Sequence, residues 1–398
     1  MSVAVMGTSE TGSAPGAKAD ARQGRRYYRP ELDALRFFAF LSVFAFHRMD
    51  YVPMSPVTDV WGFRIGTVGA FGVPVFFLLS AFLITELLLR ERERMGRIHA
   101  GAFYVRRVLR IWPLYFGMFF GLALLNHFVP GTGTDNPVAW LAFVLFSGNW
   151  YITLHGWIAG AVDPLWSISV EEQFYLAIPL LAMVGGRRAL ARASVVLLLA
   201  AYVSVFLYGL HRSPGDHGEW TNSLVQFQFF CAGTLLALVL RGRTPELALP
   251  MRVGGFALGI VCWFAAMMGF SVQSWDPQPT AWGSVAGWLL VLAGTVLIFL
   301  CTLGTPGRLI PGWLAYFGRI SYGLYLFHSL VFFLIFREAL PYVKGAVPGL
   351  RVGGGVSAVL GTGAVLAVSL VAAHLSFIYF ESFFLRLKQR FTFVLSRD

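Results

Sequence analysis

From about residue 29 onward the sequence alternates between long apolar runs and short polar, Pro- or Gly-rich breaks. The runs cover roughly 34–52, 67–89, 111–129, 138–157, 166–184, 193–210, 223–240, 253–270, 283–302, 317–336 and 355–380. Each is close to the roughly 20 residues that a helix needs to cross the hydrocarbon core of a bilayer. Strands of a closed barrel would be shorter and would alternate polar with apolar, so helices are predicted. The expected fold is an all-α polytopic membrane protein. No internal repeat is visible, which gives no support to an inverted-repeat transporter.

The basic residues set the expected topology. With a cytosolic N-terminus and one segment that fails to cross, 25 of the 31 Lys and Arg fall on the cytosolic side. The outer six are Arg48, Arg64, Arg212, Arg337, Lys344 and Arg351. Cytosolic loops carry such an excess. If all eleven runs crossed, Arg187, Arg188 and Arg192 and every later group would flip and most of the asymmetry would vanish. About ten transmembrane helices plus one partial or re-entrant segment, either 138–157 or 166–184, is therefore predicted. Both termini are expected in the cytosol and the protein in the cytoplasmic membrane. Residues 1–28 are expected to form a disordered cytosolic tail, 29–385 the transmembrane domain, and 386–398 a short basic tail.

Composition narrows the class. The chain has 398 residues, 57% of them hydrophobic and only 13% charged, about half the charged share of an ordinary soluble domain. That excludes a disordered chain, a nucleic-acid-binding domain and a typical cytosolic enzyme. The net charge of +11 belongs to the cytosolic loops and not to nucleic acid. Cys231, Cys262 and Cys301 each sit in an apolar run without disulfide or zinc spacing.

Ionisable groups inside membrane helices are costly, and each is a functional candidate. Arg36 and His47 are eleven residues apart in the first run, which is three helical turns plus about 20°. They share one face, about 16 Å apart in depth. A neutral imidazole there suits a general base. The alternative is an interfacial arginine and a histidine bonded to a backbone carbonyl. Arg107 and Arg110, at i and i+3, present two planar guanidinium forks suited to phosphate, or else simply mark topology.

Glu171 and Glu172 stand side by side at the head of an apolar run, after Trp166 and Ser169. A carboxylate here could orient a histidine or bind an acceptor hydroxyl, and one of the two is also explained by the dipole at a helix start. Ser321, Tyr325 and His328 form a polar stripe at i, i+4 and i+7, facing protein or a cavity. Such a stripe also suits bonding between helices. Asn149 and His374 read as structural. No phosphate-cradling glycine loop, nucleophile-elbow serine or metal-spaced cluster is present.

Taken in order, these motifs resemble membrane acyltransferase family 3, the bacterial multi-pass O-acyltransferases. The resemblance runs from Tyr28 to about Glu381. It rests on Arg36-x10-His47, the Phe76-Phe77-Leu78-Leu79-Ser80-Ala81-Phe82-Leu83 run, and Arg107-x-x-Arg110 with Pro113 and Tyr115. The Trp166-to-Tyr175 stretch and the run from Ile320-Ser321-Tyr322 to His328 complete it. Ala81 stands where many members have glycine.

What the resemblance implies is transfer of an acyl group from acyl-CoA, a co-substrate, to a hydroxyl of the acceptor, with no other cofactor and no metal. His47 is the expected catalytic base, assisted by Glu171 or Glu172, and Arg36, Arg107 and Arg110 the expected acyl-CoA ligands. Trp166, Ser169, Asn149, Ser321, Tyr325 and His328 are expected in support. The sequence ends about 17 residues after Glu381, so the expectation is a compact stand-alone member, similar to those that acylate macrolide antibiotics. Acylation of a cell-surface polysaccharide or lipid-linked sugar is the alternative acceptor, and a non-catalytic transporter the rival of another class. The expected partners are the donor, a hydroxylated small molecule or glycan, and the bilayer; the sequence leaves a homo-oligomer open.

Overall fold

The computed structural model describes residues 28–52, 59–158, 160–211, 218–273, 280–346 and 354–393. The tail expected over 1–28 lies outside these apart from Tyr28. The described residues are helical and contain no strand. Among the described residues, eight helices are long and apolar enough to cross a membrane. The chain is an all-α polytopic membrane protein.

The first helix, α1 (Pro30–His47), starts with Pro at its first position, where the missing N–H costs nothing. It is followed by α2 (Val60–Gly69), α3 (Gly72–Met95) and α4 (Ala100–Asn126). The run expected at 138–157 is the irregular one. It is broken into α5 (Pro137–Val144) and α6 (Gly148–His155), each of eight residues. At about 1.5 Å per residue neither can span a bilayer. Phe146, in the break, has φ of 52°. Its carbonyl accepts a hydrogen bond from Gln173 Nε2 at 3.0 Å, so irregular backbone is satisfied by protein, as membrane depth requires.

The next helix, α7 (Leu165–His211), is 47 residues long, about 70 Å at the ideal rise and more than twice the hydrocarbon thickness. It divides at Gly186, which has φ 56° and ψ −139°, a conformation open to glycine and costly elsewhere. Its two legs, 165–185 and 187–211, correspond to two of the expected runs. The remaining long helices are α8 (Ser223–Leu240), α9 (Leu249–Phe270) and α10 (Ala281–Thr302). After them come α11 (Gly312–Arg319), α12 (Ser321–Phe333), α13 (Gly354–Ser376) and α14 (Ser382–Gln389).

One end of the bundle gathers the basic groups. Arg187 Nη2 lies 2.7 Å from Glu93 Oε1, and Arg92 Nη1 donates to the Ala182 carbonyl at 3.0 Å. Arg29 donates to the Gly242 carbonyl, and Glu31 accepts from the Gly304 N–H. The end of α3, the Gly186 break, the end of α8 and the end of α10 therefore share one side with the start of α1, the grouping that the charge partition requires. Arg252 has a further task there: its guanidinium donates to the carbonyls of Cys301, Leu303 and Gly304 at the end of α10, where a cation also complements the helix dipole.

Close helix packing fixes α1. A methyl group on Gly72 of α3 would collide with the Ala39 carbonyl, and one on Gly318 of α11 with the Asp33 carbonyl. With no hydrophobic force between helices in lipid, such small residues let backbones approach and gain dispersion contacts. Arg36 lies between these two contacts, so glycines on both sides set its position.

Candidate active site

A cavity of about 210 Å³ opens among α1, α3, α4, α7, α11, α12 and the C-terminal segment. It is lined by Arg36, Arg107, Arg110 and Glu171, and by Ser321 and Tyr325 of the polar stripe. Arg36 and Arg107 are each held by their own surroundings. Arg36 Nη1 lies 2.6 Å from Asp33 Oδ1, one turn earlier in α1. The Arg107 guanidinium sits 5.5 Å from the Phe103 ring centre and 5.4 Å from that of Tyr175, in range for cation–π attraction. Glu171 accepts from Tyr175 at 2.9 Å and from Ser80 at 3.2 Å.

Beyond Tyr325 lies a histidine pair. His328 is fully buried, its Nδ1 2.6 Å from the Tyr325 carbonyl oxygen and its Nε2 3.0 Å from His47 Nδ1. A carbonyl can only accept, so His328 Nδ1 carries the proton and, in the neutral ring, Nε2 is an acceptor. His47 Nδ1 must then be the donor, which leaves the lone pair of a neutral His47 on Nε2. The chain Tyr325 carbonyl, His328, His47 thus selects one tautomer of His47. Phe40 packs edge-on against the His328 ring at 5.8 Å. The Tyr325 hydroxyl lies 2.7 Å from Ser167 Oγ, and both residues line the cavity.

Other expected residues stand elsewhere. Glu172 points away from the cavity and accepts from Trp112 Nε1 at 3.2 Å. His47 is partnered by His328 and by the Val43 carbonyl one turn earlier, and neither carboxylate is among these partners. Trp166 packs among Phe77 and Trp220, and Ser169 is fully buried without lining the cavity. Asn149 ties three segments together: its Nδ2 donates to the Thr221 carbonyl and to Ser223 Oγ, and its Oδ1 accepts from Gln173. His374 lies on Tyr316.

Six further residues, Ser80, Tyr175, Arg319, Tyr322, Glu381 and Lys388, line the cavity besides the expected site residues. Ser80, Tyr175 and Tyr322 fall inside the motif runs that carry the family resemblance. Arg319 falls inside the expected run 317–336, where an arginine demands a reason, whereas Lys388 lies beyond the last run and carries no such signal. The expected basic tail over 386–398 is not free over its described part. Helix α14 lies along α4, Lys388 is buried, and Arg106 Nη1 donates to the Phe391 carbonyl at 2.6 Å.

Comparison with known proteins then decides the family. A model described as an acyltransferase domain, that of acyltransferase family 3, matches residues 29–374. The chain belongs to this family. A Bacillus subtilis (strain 168) protein with a provisional peptidoglycan O-acetyltransferase name is 26% identical over 336 residues, covering 77% of this chain and 49% of that protein. Nodulation protein 10 of Rhizobium leguminosarum bv. viciae is 27% identical over 328 residues, 76% of this chain and 83% of the relative. A Staphylococcus aureus (strain MSSA476) protein with a provisional O-acetyltransferase name is 25% identical over 358 residues, 81% and 53% of the two chains. The chain thus spans about half the length of the Bacillus and Staphylococcus relatives. No solved structure matches it significantly.

Proposed function

We propose that this membrane protein is an O-acyltransferase that moves an acyl group from acyl-CoA to a hydroxyl of an acceptor, with His47 as general base. The observation that carries the reading is a basic cavity with a histidine pair behind its wall, the pair itself not lining the cavity. Three arginines and Glu171 line a single cavity whose wall includes Tyr325, and one turn further along α12 stands the His328–His47 pair. Family membership supplies acyl transfer as the reaction class.

The donor enters from the basic, cytosolic end, its phosphates against Arg107 and Arg110, whose planar forks suit them. Arg36 assists, fixed by Asp33. The cavity is smaller than the 300–1,000 Å³ of drug-sized pockets, which suits a thioester arm carrying a short acyl group. The acceptor hydroxyl gives its proton to His47 Nε2 as its oxygen attacks the thioester carbonyl. The tetrahedral intermediate collapses, the carbon–sulfur bond breaks, and the imidazolium returns the proton to the departing CoA thiolate. Glu171 and its partners Ser80 and Tyr175 position the donor arm. A transporter would use the same polar groups as a path, but it needs no tautomer-fixed histidine beside an anion-binding cavity.

The acceptor has two readings. A natural product such as a macrolide, or its sugar, rests on the family resemblance. A cell-surface glycan is favoured by the peptidoglycan O-acetyltransferase name of the Bacillus relative. Mass spectrometry of both acceptor classes, incubated with purified protein and isotopically labelled acetyl-CoA, tests the proposal. Transfer of label to an acceptor hydroxyl is expected. Substrate movement without label transfer would favour the transporter.

A further inference from the structure

The C-terminal segment is built into the cavity in a way that a tail is not. Its helix α14 carries Lys388 inward, 7% exposed, into the electrostatic field of Arg36, Arg106, Arg107 and Arg110. The strap is fastened on both sides of this residue. Before it, Glu381 lines the cavity and accepts from Ser376 at 3.1 Å. After it, Arg106 holds the Phe391 carbonyl at 2.6 Å, and the Phe393 ring lies 4.5 Å from that of His99. Arg106 and His99 are themselves anchored on Glu91, at 2.9 Å and, through the His99 N–H, 2.8 Å.

The charge balance of the cavity is net positive. Among the described residues, Arg29, Arg36, Arg107, Arg110, Arg319 and Lys388 line it against Asp33, Glu171 and Glu381. Arg107 Nε and Arg319 Nε are buried with no hydrogen-bond partner among the described residues. An excess of positive charge in a cavity favours an anionic ligand, and this lining suits one. Lys388 also marks a junction. A second, smaller cavity of about 40 Å³ shares Ile84, Leu87, Arg107 and Lys388 with the first and continues to Arg106 and Thr392 beneath the strap. Lys388 therefore stands in the wall that the two cavities share.

We propose that Lys388 is a phosphate ligand for the donor, presented by the α14 strap at the junction of the two cavities, so that the strap forms one wall of the donor's entry. The inference rests on the acyl-CoA reading and adds to it a residue on the last helix. The lysine ammonium binds phosphate as a point charge, where the arginine forks bind in two directions.

The test compares the full-length parent with Lys388→Met and Lys388→Arg in detergent or nanodiscs. It measures affinity for CoA, for acetyl-pantetheine, which has the thioester arm without phosphates, and for inorganic pyrophosphate. Lys388→Met is expected to weaken CoA and pyrophosphate about tenfold or more and to leave acetyl-pantetheine unchanged, while Lys388→Arg retains most of the affinity. Removing one of several like charges is expected to keep or raise Tm. Should Met fail to fold, Lys388→Gln supplies the neutral variant at the same position.

Parent and neutral variant binding CoA equally would overturn the role of Lys388 and leave the donor reading intact. Equal losses for CoA and acetyl-pantetheine would also overturn it, showing that the strap only supports the fold. Pyrophosphate binding that depends on Lys388 in a parent that does not bind CoA would uphold the anion site and refute the donor. Binding of neither anion by the parent would refute both.

Discussion

His328 Nε2 lies 3.0 Å from His47 Nδ1, and this contact joins the middle of α12 to the last residue of α1. Because the other His328 nitrogen is committed to the Tyr325 carbonyl, the contact fixes which nitrogen of a neutral His47 can accept a proton. His328→Ala removes the acceptor for His47 Nδ1–H without removing the base. One hydrogen bond of about 0.5–1.5 kcal/mol corresponds to a fall in kcat of about threefold to tenfold, with donor affinity unchanged. Steady-state kinetics alongside direct CoA binding checks this, and a drop in binding equal to the drop in kcat would assign His328 to the fold.

Arg107 and Arg110 are expected to act on the donor alone. Each alanine variant loses a charge-assisted contact of about 1.5–3 kcal/mol, which corresponds to a donor KM raised about tenfold or more. Arg107→Lys keeps the charge but loses the planar fork and the stacking on Phe103 and Tyr175, so it restores only part of the affinity. Acceptor KM is expected to stay constant in all three variants.

Asn149 is expected to behave in the opposite way. It is fully buried and bonded to Thr221, Ser223 and Gln173, so Asn149→Leu leaves buried partners unsatisfied at about 1–3 kcal/mol each. Thermal unfolding in detergent should fall by several degrees, while donor affinity of the remaining folded protein stays at the parent value.

Topology is open to direct measurement. Single cysteines placed near Arg94, Arg188 and Arg243 are expected to react from the cytosolic side, because the Arg187–Glu93 pair and the Arg29–Gly242 bond hold these regions at one end of the bundle. Both termini are expected on that side. Labelling of position 188 from outside would refute the arrangement.

The sequence carried the groups that break the apolar pattern, and little about how they pair. Arg36, Arg107 and Arg110 were legible because an arginine in an apolar helix demands a reason, and all three line one cavity. The stripe Ser321, Tyr325, His328 was legible from helical spacing, and all three residues are buried. The partnership of His47 with His328 was not, since 281 residues separate them and only tertiary packing brings α12 to the end of α1.

Glu171 and Glu172 looked equivalent in sequence. Neighbours on a helix point about 100° apart, so only Glu171 lines the cavity. Lys388 fell beyond the last apolar run and read as part of a tail; docking of α14 on α4 buries it. The break at 145–147 is hinted at by the Ser147-Gly148-Asn149 cluster, but the left-handed conformation falls on Phe146, which its residue type does not announce.

The central claim is that His47 takes the proton of the acceptor hydroxyl. Its most direct measurement is the single-turnover rate of acyl transfer by folded His47→Asn, with CoA affinity measured on the same preparation. Asparagine can keep a side-chain donor toward His328 but has no basic nitrogen. The predicted result is intact CoA affinity with transfer slowed about 10²–10⁴-fold, the usual worth of positioned proton transfer. Transfer at near the parent rate with intact CoA affinity would contradict the assignment.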